Sequence, residues 1–280
     1  MRFGVTIFTT DVSIQPAELA VALQERGFDS MWVPEHTHIP TSRRTPYPNG
    51  GELPMEYKRC HDPFVALAAA AAAAPGLRVG TAIALVAQRD PIVTAKAVAS
   101  VDHVSGGRFT LGIGFGWNED EMEDHGVEYR RRRDMGREHV LAMQRLWEDE
   151  EASFDGEFVK LPPSWSWPKP VQRPLPVLIG GAAGPKLFDH IAEYAHGWIP
   201  IGGRGLTETL PELRQKFEEA GRDPSNLEVV PVAVVPDPGK LDHYQEVGVT
   251  ECVFGLPSAA KDHVLPVLDK YATVIQERRN

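Results

Sequence analysis

The amino-acid sequence predicts an eight-stranded parallel α/β barrel, the (β/α)8 or TIM barrel. Strand-like and helix-like segments alternate from one end of the chain to the other, which calls for a parallel sheet joined by crossover helices. The length of 280 residues suits one such barrel, whose usual size is about 250 residues. No repeat or linker marks a second unit, so residues 1–280 read as a single domain. An open, doubly wound sheet is the structural rival.

Each element has its own signal. The first strand is expected over 2–9 and its helix over 16–26, where Pro16 suits the first turn and Gly27 the position past the end. The second strand covers 30–34, and an irregular, proline-bearing stretch follows at 39–58. Asp62-Pro63 opens an alanine-rich helix that runs to 74 and is stopped by Pro75-Gly76. The third strand is 77–85, the third helix 90–104 and the fourth strand 108–113. An acidic then basic loop over 119–133 precedes a helix at 134–148, and a proline- and tryptophan-rich excursion fills 151–176. The remaining strands fall at 177–180, 197–201, 227–235 and 250–254, with helices at 184–195, 206–220, 240–247 and 260–276.

Composition narrows the function. With 29 basic and 39 acidic residues the chain carries a net charge of −10, so nucleic acid is not an expected partner. Two cysteines, Cys60 and Cys252, make no disulfide framework. The chain opens on strand-like sequence without a signal-peptide pattern. The alanine-rich run over 64–75 is too short to span a bilayer. The expectation is a cytoplasmic protein without a membrane partner, acting on a small molecule.

In such barrels chemistry sits on the loops after the strands. The second strand leads into Pro34-Glu35-His36-Thr37-His38, a carboxylate and two imidazoles suited to acid/base work near neutral pH. The His-x-His spacing puts both rings on one side of an extended segment. That leaves a metal site or a plain capping role open as well. The fourth strand runs into Gly112-Ile113-Gly114-Phe115-Gly116-Trp117-Asn118. Its alternate glycines allow either a ligand or bulky neighbours to approach the backbone closely. The fifth strand turns through Gly180-Gly181-Ala182-Ala183-Gly184 directly into a helix, a place where uncovered N–H groups favour an anion. The run Arg130 to Arg133 reads as a solvated charge cluster or as a contact for an anionic tail. Trp165 and Trp167 either cover apolar surface or roof a pocket.

Taken together these segments resemble the bacterial luciferase-like superfamily. The residues that carry the resemblance are Ser105-Gly106-Gly107-Arg108 with the glycine-rich run at 111–118, the third strand with Asp90-Pro91 behind it, and Pro174-Leu175-Pro176-Val177-Leu178-Ile179-Gly180-Gly181. Glu35-His36 and Trp117-Asn118 look most like the branch that uses coenzyme F420, a deazaflavin, in place of FMN. The resemblance implies a ring bound in the barrel mouth against a bulge in the third strand, with a non-prolyl cis peptide at Ala82-Ile83. It implies catalytic roles for His36, as proton carrier, and Glu35, both beside the cofactor. Gly114, Phe115, Gly116 and Asn118 would line the ring and its side-chain channel, and the backbone of Gly180, Gly181, Ala182, Ala183 and Gly184 would hold the phosphate. It also implies a homodimer. The sequence departs from the pattern at Trp117, where some F420 dehydrogenases carry an acidic proton donor, and at Glu35, where several relatives have aspartate.

The expectation is therefore an F420-dependent oxidoreductase transferring a hydride to or from a small organic substrate, with segments 39–58 and 151–176 closing the site. An FMN-dependent monooxygenase is the alternative. A metal-dependent hydrolase built on His36 and His38, and a cofactor carrier without catalysis, stand behind it; no metal ligand set is assigned. Arg43, Arg44, Lys58 and Arg59 either reach the polyglutamate tail of F420 or decorate a lid.

Overall fold

The computed structural model describes residues 1–279. Its strands are β1 (Arg2–Thr6), β2 (Ser30–Val33), β3 (Arg78–Thr81), β4 (Phe109–Ile113), β5 (Ala152–Asp155), β6 (Lys160–Ser164), β7 (Val177–Gly180), β8 (Gly197–Ile199), β9 (Glu228–Val229), β10 (Val232–Val234) and β11 (Glu251–Gly255). Its helices are α1 (Pro16–Glu25), α2 (Pro63–Ala73), α3 (Pro91–Ser105), α4 (Glu119–Asp124), α5 (Arg132–Glu148), α6 (Pro185–Tyr194), α7 (Leu206–Glu219), α8 (Pro238–Glu246) and α9 (Lys261–Arg279).

All strands except β5 and β6 lie in one curled parallel sheet, ordered β10-β11-β1-β2-β3-β4-β7-β8-β9. The segments β9 and β10 are two halves of the seventh predicted strand. Pro231 between them has no N–H to give to a ladder. One half pairs with β8, the other with β11, and an Ile201–Val232 bridge joins the two edges. The sheet thereby closes into the expected (β/α)8 barrel.

The helix signals act as read. Asp62 accepts from the N–H groups of Phe64 and Val65, and Asp90 from that of Val93, each with proline at the next position. Gly106 ends α3 in the left-handed region, at φ 67°. The alanines of α2 let it pack closely between α1 and α3, with Ala66, Ala70 and Ala71 buried. Most of the apolar core lies between strands and helices, while Trp32, Leu178, Ile199, Val230, Val232 and Val253 fill the barrel interior.

At the start of the strands the interior is sealed by a polar network. The Glu251 carboxylate is fully buried; it accepts from Arg2 Nε (2.8 Å), from Trp32 Nε1 (2.9 Å) and from the Ser30 hydroxyl. This end is opposite the loops that follow the strands, so its charge serves the barrel rather than chemistry.

The first strand ends at Thr6 instead of 9, and three further segments differ from expectation. The third strand stops at Thr81 instead of 85, because the chain leaves the ladder at a cis Ala82–Ile83 peptide, as the resemblance implied, and touches β4 again only at Ala84. The acidic stretch expected as loop contains the helix α4. The excursion before β7 contains an antiparallel hairpin, β5–β6, whose turn is tied to α5 by the Glu138 carboxylate accepting from the N–H groups of Glu157, Phe158 and Val159. Among the described residues no helix is long and apolar enough to cross a membrane.

Candidate active site at the barrel mouth

A cavity of about 260 Å³ opens at the C-terminal ends of the strands. Its walls are Ala82 and Ile83 from the break after β3, Gly114, Phe115, Gly116 and Trp117 after β4, Gly180 and Gly181 after β7, and Ile199, Ile201 and Val232 opposite. Arg132 and Arg133, at the start of α5, complete it. Seven of the residues expected around a cofactor therefore share one cavity: Ala82, Ile83, Gly114, Phe115, Gly116, Gly180 and Gly181.

The glycines are needed first for packing. A Cβ at Gly114 would lie 2.5 Å from Ile83 Cδ1, and one at Gly180 would lie 2.7 Å from Ile83 Cγ2. The pair makes room for the isoleucine that forms the cavity floor. Gly116 adopts φ +70°, and a Cβ there would strike Met122 Cε at 2.1 Å. The close-packing reading and the ligand reading of this glycine run are thus two aspects of one arrangement.

Glu35 does not line the cavity. Its buried carboxylate accepts from Leu85 N–H (2.7 Å) and Arg89 Nε (2.6 Å), and Arg89 also pairs with Asp62 (2.6 Å). Glu35 thereby pins the chain just after the cis peptide. Both oxygens are engaged, so its observed part is to hold the floor, not to face a substrate. The neighbouring His36 ring packs against Tyr57 (centroids 5.1 Å apart) and, edge to face, against Trp117 (5.8 Å). Its side chain is 7% exposed, and Nδ1 lies 2.7 Å from Glu121 Oε2. His36 stands behind the Trp117 wall rather than among the lining side chains.

The rest of α4 grips the same segment. Asp120 accepts from the backbone N–H groups of Arg44 and Thr45, from Arg44 Nε and from the Thr45 hydroxyl. These contacts, the Arg44 hydrogen bond foremost, hold its carboxyl well below the usual range. Asp124 meets His38 Nε2 at 2.9 Å. The two histidines of the His-x-His pair do face one element, but each ring is taken by its own carboxylate. Among the described residues no group of three or more His, Cys, Asp or Glu is placed to hold a metal ion.

The expected anion-binding turn places Gly180 and Gly181 on the cavity, while Ala182 and Ala183 are exposed outside the lining and Gly184 is half-buried. No side chain caps α6, and its first turn carries no acidic residue. The arginine run is only partly solvated. Arg131 pairs with Glu157, but Arg132 and Arg133 turn to the cavity, stacked on Tyr129 (3.7 Å) and Phe115 (4.9 Å). Arg132 Nε and Arg133 Nη1 are buried without a hydrogen-bond partner. Burial, then the neighbouring Arg132, pulls the Arg133 pKa down. The cations expected on a lid are differently employed: Arg44 pairs with Asp120 and Glu123, Arg59 with Asp11, and Arg43 lies over Trp117. Asn118 caps the start of α4 by position without a side-chain bond, and both polar atoms of its buried amide, like those of Gln88, lack a partner. Trp165 and Trp167 are exposed and do not roof this cavity.

Sequence reasoning missed Glu121 as a site residue, and it offered Arg132 and Arg133 only within the two readings of the run 130–133. The spacing Asn118-x-x-Glu121 before a helix-favouring acidic run was the available signal for a short helix there. Nothing local marks which arginines of four turn inward.

Comparison with known proteins places this geometry. The luciferase-like monooxygenase family matches residues 1–236. The chain belongs to that family. Among its relatives, an uncharacterized protein of Mycobacterium tuberculosis is 44% identical over 276 residues, spanning 97% of this chain and 98% of that one. The F420-dependent glucose-6-phosphate dehydrogenase of Kineococcus radiotolerans is 30% identical over 221 residues, spanning 76% of this chain and 60% of that protein. In three dimensions the crystal structure of a monooxygenase from Streptomyces bottropensis superposes with a TM-score of 0.81 at 19% identity, each chain covered in full (100%). That likeness carries the fold. The family membership makes this member of the luciferase-like group an oxidoreductase.

Proposed function

We propose that this protein is an F420-dependent oxidoreductase acting on a small organic substrate. The observation that carries the reading is one cavity that joins apolar walls to two guanidinium groups with unpartnered nitrogens. Such a site fits a flat ring with an anionic tail. Ile83, Phe115 and Trp117 offer the ring apolar surface, and Arg132, Arg133 and the open first turn of α6 offer the anion donors and positive charge. The relationship to a named F420-dependent dehydrogenase favours the deazaflavin over FMN.

When bound, a deazaflavin supplies a hydride donor or acceptor for two-electron chemistry, and the protein supplies orientation and electrostatics. Ile83, on the cavity floor, would bear against the ring, and Trp117 stands between the cavity and His36. In this reading His36 would move the accompanying proton through a water beside Trp117. Glu35 keeps Leu85 and Arg89 fixed so that the floor does not shift.

The second reading, an FMN-dependent monooxygenase, draws on the name of the matching family. A fluorescence titration with F420 and separately with FMN decides between them. Preference for F420, weakened at least tenfold by Arg133→Met, is the expected result. Preference for FMN with oxygen uptake by the reduced form would transfer the assignment to the monooxygenase, and binding of neither would remove both.

A further inference from the structure

The buried glutamate behind the proposed proton carrier has no assigned role. We propose that Glu121 is a positioning residue that fixes which nitrogen of His36 carries the proton, leaving Nε2 as the working atom. The inference rests on the reading of His36 as the proton-transfer group.

Glu121 is fully buried, and its two hydrogen-bond partners both come from the strand-end loop: His36 Nδ1 at 2.7 Å from Oε2 and the Thr37 N–H at 3.2 Å from Oε1. A carboxylate in that position accepts and does not donate. Nδ1 must therefore bear hydrogen, and in the neutral ring Nε2 is bare. The opposite tautomer would set two lone pairs against each other in a buried place.

The rest of the surroundings prevents the ring from escaping this choice. Tyr57 and Trp117 pack on it, and Cys60 Sγ donates to the His36 carbonyl at 3.1 Å. On either side of Glu121, Asp120 and Asp124 hold Arg44, Thr45 and His38, so neither helix nor loop is free to slide. A ring so held presents Nε2 in one direction, while its Nδ1–H···carboxylate bond stabilises the imidazolium formed when Nε2 takes a proton. Glu121 acts through His36 and does not line the cavity.

The test is nitrogen-15 NMR of the full chain labelled at histidine, with the His36 signals assigned by their loss in His36→Gln. Wild type is expected to show the Nδ1-protonated tautomer in the neutral ring. Glu121→Gln, nearly isosteric, is expected to shift the tautomer ratio about tenfold toward Nε2–H, the size that follows from exchanging a charge-assisted bond for a neutral one. A wild-type ring protonated on Nε2 overturns the proposal even if Glu121→Gln fails to fold, and an unchanged ratio in a folded Glu121→Gln overturns it as well. The cofactor titration is separate. Absence of F420 and FMN binding would remove the oxidoreductase reading of this site, and the tautomer would still report whether Glu121 sets the ring.

Discussion

Replacement of Glu35 separates a positioning carboxylate from a catalytic one. In Glu35→Ala the Leu85 N–H loses its acceptor in a buried place, which costs about 1–3 kcal/mol. Arg89, only 18% exposed at its side chain, loses a partner that is 1% exposed. Breaking a buried ion pair from one side typically costs about 3–5 kcal/mol. Asp62 still neutralises Arg89 in part, so the two losses together should come to about 3–4 kcal/mol rather than their full sum. For a chain of this size each kcal/mol moves the melting temperature by about 2–4 °C, giving a fall of roughly 6–16 °C. Glu35→Gln keeps an acceptor for Leu85 and loses the charge, so it should fall between the variant and wild type. Thermal unfolding followed by circular dichroism, with urea titration as a second measure, reads both. If Glu35→Ala loses less than about 1 kcal/mol and still abolishes turnover with cofactor binding intact, the carboxylate belongs to the chemistry and the positioning argument is wrong.

Two other consequences follow from the same geometry. Gly114→Val should close the cavity onto Ile83, weakening cofactor binding at least tenfold and destabilising the fold by about 1–3 kcal/mol; Ile83→Ala in the same chain should restore much of both, checked by the same titration and melts. Acid should weaken the fold through His139, His190 and His196, each held below its ordinary value near 6.5, chiefly by burial. The unfolded chain then binds more protons, so this stability is present above pH 6.5 and is lost as pH falls below it. His196→Asn should flatten that slope in urea titrations run from pH 7.5 to about 5, because Nδ1 of this ring accepts from the Val177 N–H and cannot do so once protonated.

The barrel was legible because its cues are local. Asp62-Pro63 and Asp90-Pro91 cap helices with their own side chains, Gly106 ends one in the left-handed region, and alternation of strand and helix does the rest. The places that sequence reading misjudged depend on distant partners. The third strand ends early because the chain turns at Ala82–Ile83 and Leu85 N–H is taken by a carboxylate 50 residues away. Residues 119–124 look like a solvated acidic loop, yet Glu121 is buried because His36 and Thr37 reach it from 85 and 84 residues away. Glu35 and His36 are adjacent, and their sequence alone suggests one catalytic pair. A strand end sends successive side chains to opposite sides, and here one side meets Arg89 and the other meets α4.

The distribution of charge at the mouth narrows where an anionic ligand is recognised. The chain carries a net charge of −10, and the lid that was expected to supply cations spends Arg44 and Arg59 on Asp120, Glu123 and Asp11. Those pairs hold this segment to α4 and to the loop after β1, while Arg43 lies over Trp117. Arg132 and Arg133 stand elsewhere, half-buried, stacked on aromatic rings and with nitrogens that no side chain satisfies. A guanidinium in that setting gains most from an anion that arrives with it out of water, because both charges are then screened least. Under the proposed function, anion recognition would fall to Arg132 and Arg133 on the cavity wall, since no residue of 39–59 lines the cavity. The basic wall would then take the anionic part of the ligand while Ile83 and Trp117 offer apolar surface to its ring.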